Sequence, residues 1–123
     1  GLGMSHRLLR LTTSPWVAAC MNKLTTTRPT WNGNNSSGWA EDIRAANGFD
    51  ERMRYGGEDR ELGERLENAG VRGKGIRYQS VCLHLDHARG YVNAMDLERN
   101  RRIRQETRRI HRTRTDYGIR DAA

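Results

Sequence analysis

Glu58 and Asp59 stand side by side, directly after Gly56 and Gly57 and directly before the apolar periodicity of a helix. Two carboxylates at such a point suit acid–base chemistry. The unpaired N–H groups at a helix start favour a nearby carboxylate in its charged form, the form that accepts a proton. Gly56 and Gly57 carry no side chains to obstruct a substrate approaching the backbone, and Tyr55 offers an aromatic face beside that opening. The same pair also has a structural reading, in which Asp59 caps the helix and Glu58 sits at the positive end of its dipole.

Two other groups of residues have chemical capacity. In "HLDHARG", His84, Asp86 and His87 offer imidazole and carboxylate, common ligands of divalent metals. Residues three apart in an extended strand point to opposite faces, so His84 and His87 converge only if the chain turns after Leu85. The stretch "WNGNNSSG", with Asn35 in its middle, is either a turn held by its own side chains or a polar wall for a sugar, since amides both donate and accept.

The elements that must hold these groups follow from local patterns. Thr25 to Gly38, "TTTRPTWNGNNSSG", reads as loop. A short helix is expected from Trp39 to Asn47, with Trp39, Ile43 and Ala46 on one face and Asn47-Gly48 as its stop signal. The clearest helix runs from about Asp59 to Ala69, where Leu62, Leu66 and Ala69 recur as one stripe. Glu61 can pair with Arg65 one turn on, and Gly70 suits the left-handed residue that ends a helix. Gly63 inside that helix costs about 1 kcal/mol against alanine, which points to close packing against another backbone. Ile76 to Leu85, "IRYQSVCLHL", is apolar on both faces and reads as a central strand. From Asn93, with Asp96 three residues on as a capping pattern, the chain becomes a polar helix whose only apolar face is Leu97, Ile103 and Ile110.

Length and composition set bounds. With 123 residues, 35% hydrophobic, and a mean hydropathy of −0.93, the chain suffices for one small domain with a thin core. The balance of 22 basic against 15 acidic residues, +7 overall, favours anionic partners. Cys20 and Cys82 form neither a CxxC pair nor a disulfide framework, which suits a reduced, cytoplasmic setting. No apolar run is long enough to span a bilayer, and Leu8, Leu9, Leu11, Trp16 and Val17 form a candidate peripheral membrane contact. There is no Walker loop and no G-x-G-x-x-G.

The order Asn-rich loop, "NGFDE", "YGGEDRELGERLENAG", strand, "HLDHARGY" resembles the C-terminal half of family 2 glycosyltransferases, in particular the region shared with the β-1,4-galactosyltransferases. The likeness covers roughly Arg28 to Tyr91, and "TDYGI" at Thr115 to Ile119 resembles the ends of bacterial members. It implies a partial GT-A-like α/β fold, the acceptor-side half, with a short mixed sheet, a few helices and a polar C-terminal helix. The expected organisation is an N-terminal segment over 1–27, the glycosyltransferase region over 28–92 and a basic helix and tail over 93–123. The resemblance implies that Asp59 is the catalytic base and that Glu58 helps hold the acceptor sugar. Tyr55 takes the place of a tryptophan that stacks on sugars, and Gly56, Gly57 and Asn35 line the substrate site. His87, with His84 where the family has a methionine, implies a Mn2+ or Mg2+ site. Ser36 replaces the methionine usual beside Asn35.

The family's D-x-D motif is absent upstream of Glu58, where the only aspartates are Asp42 and Asp50. The resemblance therefore implies an acceptor-side piece whose partner is the missing N-terminal half. That enzyme would move sugar from a nucleotide-diphosphate donor to a glycan or lipid-linked acceptor. The rival classes are a non-catalytic scaffold and a basic module in which Arg99 to Arg114 contact nucleic acid or lipid phosphates. Interspersed Asp96, Glu98, Glu106 and Asp116 favour an ordinary solvated helix instead, with no specific nucleic acid expected.

Overall fold

The computed structural model of the chain describes residues 14–33, 35–80 and 93–119. They fall into two compact units, one of 14–29 and 74–80 and one of 30–33, 35–73 and 93–119. Among the described residues there are four helices: α1 (Pro15–Leu24), α2 (Ala40–Ala45), α3 (Glu58–Asn68) and α4 (Ala94–Arg109). No described helix is long and apolar enough to cross a membrane.

The first unit is built on α1. Ser14 caps it by accepting from the Val17 N–H, and Pro15 fits the first turn, where its missing donor costs nothing. Only Ala18 is buried, while Trp16, Val17 and Leu24 face outward. In the same unit the segment expected to begin the central strand forms a turn. The N–H groups of Gln79 and Ser80 both donate to the Ile76 carbonyl at 2.9 Å, and the Tyr78 N–H donates to Asn22 Oδ1 at 3.2 Å. There is no strand or sheet among the described residues, which are helical, so they do not form the expected α/β fold with a short mixed sheet. The reason is physical: strand-forming side chains stabilise a strand only beside a partner strand, and here the N–H groups turn to the Ile76 carbonyl and to Asn22 instead. Residues 81–85 of that expected strand lie outside the described residues.

The second unit carries the core. α2 ends in a Schellman arrangement in which Asn47 (φ 66°) donates to the Arg44 carbonyl and Gly48 (φ 67°) to the Ile43 carbonyl, both at 2.9 Å. Gly70 (φ 88°) ends α3 in the same way, with bonds from Gly70 N to Glu67 O and from Val71 N to Leu66 O, both 3.0 Å. Leu62, Leu66 and Ala46 form the apolar centre, flanked by Trp31 and Val71. Trp39 and Ala69, expected on buried stripes, are exposed.

Gly63 shows why a glycine sits inside α3. A Cβ there would lie 2.6 Å from Trp31 Cβ and 3.3 Å from Trp31 N, so the loop backbone rests on the helix. Alanine would gain about 1 kcal/mol in helix propensity and lose about 1–3 kcal/mol to overpacking. Gly63→Ala is expected to lower the denaturant midpoint at unchanged m-value, and a raised midpoint would show that Trp31 moves aside freely.

The core is thin because much of the burial is polar. Arg65 and Glu61, both fully buried, pair at 2.8 Å, and Arg65 also donates to the carbonyls of Ala46 and Gly48. Thr107 Oγ1 donates to Glu61 Oε1 at 2.8 Å, bringing α4 onto α3. α4, capped by Asn93 Oδ1 at 2.9 Å from Met95 N, buries Asn100, Ile103 and Thr107. Leu97 and Ile110, expected to face inward with Ile103, are exposed, so the buried residues of the helix are two polar ones and one apolar one.

After α4 the chain returns to the end of α2. Asn47 Nδ2 donates to the Thr115 carbonyl at 2.8 Å and Ile119 N to the Asn47 carbonyl at 3.0 Å. Asp50 is buried beneath this return, accepting from Arg52 Nε (2.9 Å) and Nη2 (2.7 Å), Arg52 N (3.1 Å) and Thr115 Oγ1 (2.7 Å). Arg52 stacks over the Tyr117 ring at 3.9 Å. Burial alone would raise the Asp50 pKa, but the hydrogen bonds from Arg52 and Thr115 outweigh it and hold the carboxyl below its ordinary 3.8. A carboxyl depressed in the folded state stabilises above its unfolded pKa and loses that contribution as pH falls through the folded value. The stability gap between wild type and Asp50→Asn should therefore be constant from neutral pH down to the ordinary value and shrink below it. A gap independent of pH in acid unfolding curves would contradict this linkage.

Candidate active site

The turn that presents Glu58 and Asp59 is made by two left-handed glycines, Gly56 (φ 118°) and Gly57 (φ 93°). L side chains rarely adopt such angles, and both positions also lie against α4. A Cβ on Gly56 would collide with Leu97 Cδ2, and one on Gly57 would come within 3.2 Å of Arg104 Cδ. Glycine is thus required at both positions by backbone angle and by the neighbouring helix.

Gly57 is the N-cap of α3, so Glu58 and Asp59 are its first two helical residues and not its cap. Glu58 folds back, its Oε2 accepting from the Gly56 N–H at 2.7 Å. Asp59 Oδ1 accepts from Arg60 N at 2.7 Å and Oδ2 from Gly33 N at 3.0 Å. The second bond links the carboxylate to the asparagine-rich loop, which is also anchored by Trp31 against Gly63 and Gly38. A carboxylate has about four acceptor sites, and two N–H groups leave room on a half-exposed side chain for a further hydroxyl.

The structure brings Tyr55, Gly56, Gly57, Glu58 and Asp59 into one turn with the loop at Gly33 beside it. Tyr55 is 37% exposed, enough to present part of its ring. Asn35 is exposed in that loop, its N–H donating to the Asn32 carbonyl at 3.0 Å. His84 and His87 lie outside the described residues. Among the described residues no three His, Cys, Asp or Glu side chains gather as a metal site would require.

A family model described as the N-terminal domain of galactosyltransferase matches residues 17–116. The chain belongs to that family. No curated protein and no solved structure matches the chain. In this galactosyltransferase-like domain the matched span takes in all four helices except the first two residues of α1. The acidic turn sits inside it, held between α3 and α4.

One residue of the turn's support escaped the sequence reading. Asn100, fully buried in the middle of α4, donates from Nδ2 to the carbonyls of Arg54 (2.7 Å), Gly56 (3.1 Å) and Tyr55 (3.4 Å). The signal was present: Asn100 and Thr107 lie three residues before and four after Ile103, on the same face. The arginines of α4 are also largely committed. Arg99 pairs with Asp96 at 3.0 Å, Arg101 and Arg102 with Glu98 at 3.4 and 3.2 Å, and Arg104 and Arg108 with Glu64 at 2.6 and 2.5 Å.

Proposed function

We propose that this galactosyltransferase-like domain supplies the acceptor side of an inverting glycosyltransferase, with Asp59 as general base. The observation that carries the reading is Asp59 itself: a half-exposed carboxylate fixed by the Gly33 and Arg60 N–H groups at the start of α3. The acceptor hydroxyl donates to Asp59 and loses its proton there as its oxygen attacks the anomeric carbon. The bond from that carbon to the nucleotide diphosphate breaks on the opposite face, and the diphosphate leaves with the electron pair. Glu58, braced on the Gly56 N–H, keeps one oxygen for a second acceptor hydroxyl, and the Tyr55 ring stacks on the sugar. Asn35 lines the loop side of the same site.

The matched family is described as an N-terminal domain. The assignment to the acceptor-side C-terminal half of a family 2 enzyme rests on the sequence motifs around Glu58 and Asp59. A divalent ion held by His87 and His84 would offset charge on the departing diphosphate. The donor is a nucleotide-diphosphate sugar and the acceptor a glycan or a lipid-linked glycan.

The test is transfer from UDP-galactose to acceptor by the enzyme carrying Asp59→Asn: full activity removes Asp59 from the reaction. The 123-residue chain alone is expected to bind nucleotide weakly and to turn over no donor, and measurable UDP-sugar hydrolysis by it would contradict that reading.

A further inference from the structure

We infer that Asn100 is the positioning residue of the Glu58–Asp59 pair, acting through the turn at residues 54–57; the inference rests on the acid–base reading of that pair. Its side chain is fully buried, and its Nδ2 faces three successive carbonyls, those of Arg54, Tyr55 and Gly56, at 2.7, 3.4 and 3.1 Å. Its Oδ1 is buried with no hydrogen-bond partner among the described residues, so the amide is held there for its donors alone. The two N–H bonds of that amide, shared among three consecutive peptide carbonyls, leave the turn little rotational freedom. On the other side Glu58 Oε2 closes onto the Gly56 N–H at 2.7 Å, so the Gly56 peptide is gripped from α4 and from α3 together. The two left-handed glycines have the broadest backbone freedom of any residue, and a clamp is what selects one conformation from it. Leu97 and Arg104, three before and four after Asn100, close the same face over the two glycines. Asn100 does not reach the substrate side. It sets where the first turn of α3 begins, and hence where both carboxylates stand.

The experiment has three readouts. In the wild-type chain the Asn100 side-chain amide protons should exchange slowly with solvent, and fast exchange overturns the clamp without any variant. Asn100→Asp keeps the shape and removes the donors, while Asn100→Ser keeps one donor. Hydrogen exchange should show the Gly56 amide losing roughly tenfold or more of its protection in Asn100→Asp, with α3 amides such as that of Leu66 unchanged. Equal loss of protection throughout α3 would mean a merely structural role and would overturn the proposal. In the enzyme, Asn100→Asp should lower kcat roughly 10–100-fold with donor KM little changed, and Asn100→Ser should fall between. Combined with Asp59→Asn, its loss should be clearly less than additive, because Asn100 acts in part through that carboxylate; fully additive losses overturn the proposal. Full activity of Asp59→Asn sinks the acid–base reading, whereas unchanged Gly56 protection in Asn100→Asp sinks the clamp alone.

Discussion

Asp59→Asn is expected to cut sugar transfer by about 10²–10⁴-fold, the range typical of a lost general base. The magnitude separates two roles for the same side chain. If Asp59 served only to satisfy N–H groups at the start of α3, its loss would appear as about 0.5–2 kcal/mol of stability and leave kcat alone. If it takes the acceptor proton, the loss appears in kcat and the fold barely notices. Asparagine is well suited to this distinction, because its one carbonyl oxygen can still accept from Gly33 or Arg60 while the amide cannot take a proton. The expected cost in stability is about 1 kcal/mol, one hydrogen bond and some dipole interaction. Glu58→Gln is the companion control: its amide oxygen can keep the bond to the Gly56 N–H, so a smaller loss, chiefly in acceptor KM, is expected. Transfer within threefold or so of wild type for Asp59→Asn would leave the carboxylate a structural tether.

The second large effect is on stability. Arg65→Met is expected to cost about 3–5 kcal/mol, because it strands the Glu61 carboxylate in the interior. Both side chains are fully buried, and after the substitution Thr107 Oγ1 at 2.8 Å is the remaining side-chain donor to Glu61. The Gly48 carbonyl loses the Arg65 donor at the same time, and the Ala46 carbonyl keeps only the Thr115 N–H at 3.4 Å. Against a total of about 5–15 kcal/mol for an ordinary domain, that is much of what holds a chain with so few buried apolar side chains. The melting temperature should drop by well over 10 °C, at about 4–8 °C per kcal/mol for a small domain. Glu61→Leu with Arg65→Met should recover part of the loss, since no buried charge then stands alone. A single variant that melts within a few degrees of wild type would mean that water reaches Glu61. The exposed pair of Arg102 with Glu98 should be worth far less, about 1 kcal/mol or below.

These expectations share one physical origin. The apolar centre is small, so α3 is joined to α4 and to the end of α2 by hydrogen bonds to buried polar groups. Such groups are directional, and each one lost leaves a partner unsatisfied, which makes single substitutions costly. The same directionality serves the site: Asn100 and Gly33 reach the acidic turn from distant parts of the chain and fix it more tightly than apolar packing would.

What the sequence alone determined was local. Asn47-Gly48 and Gly70 mark where α2 and α3 stop, Asn93 marks where α4 starts, and the Leu62–Leu66 spacing marks the buried side of α3. Each is set by partners within about four residues, where backbone angle, capping and periodicity act. Gly63 was legible as a close approach, and the Glu61–Arg65 spacing as an ion pair. Tertiary structure alone decided that this pair is buried, which groups Thr107 and Asn100 meet on the Ile103 face of α4, and that Gly33 tethers Asp59. It also decided that residues 76–80 turn instead of extending. Residue type gives the capacity to donate, accept or extend, but which distant group stands opposite depends on the path of the whole chain.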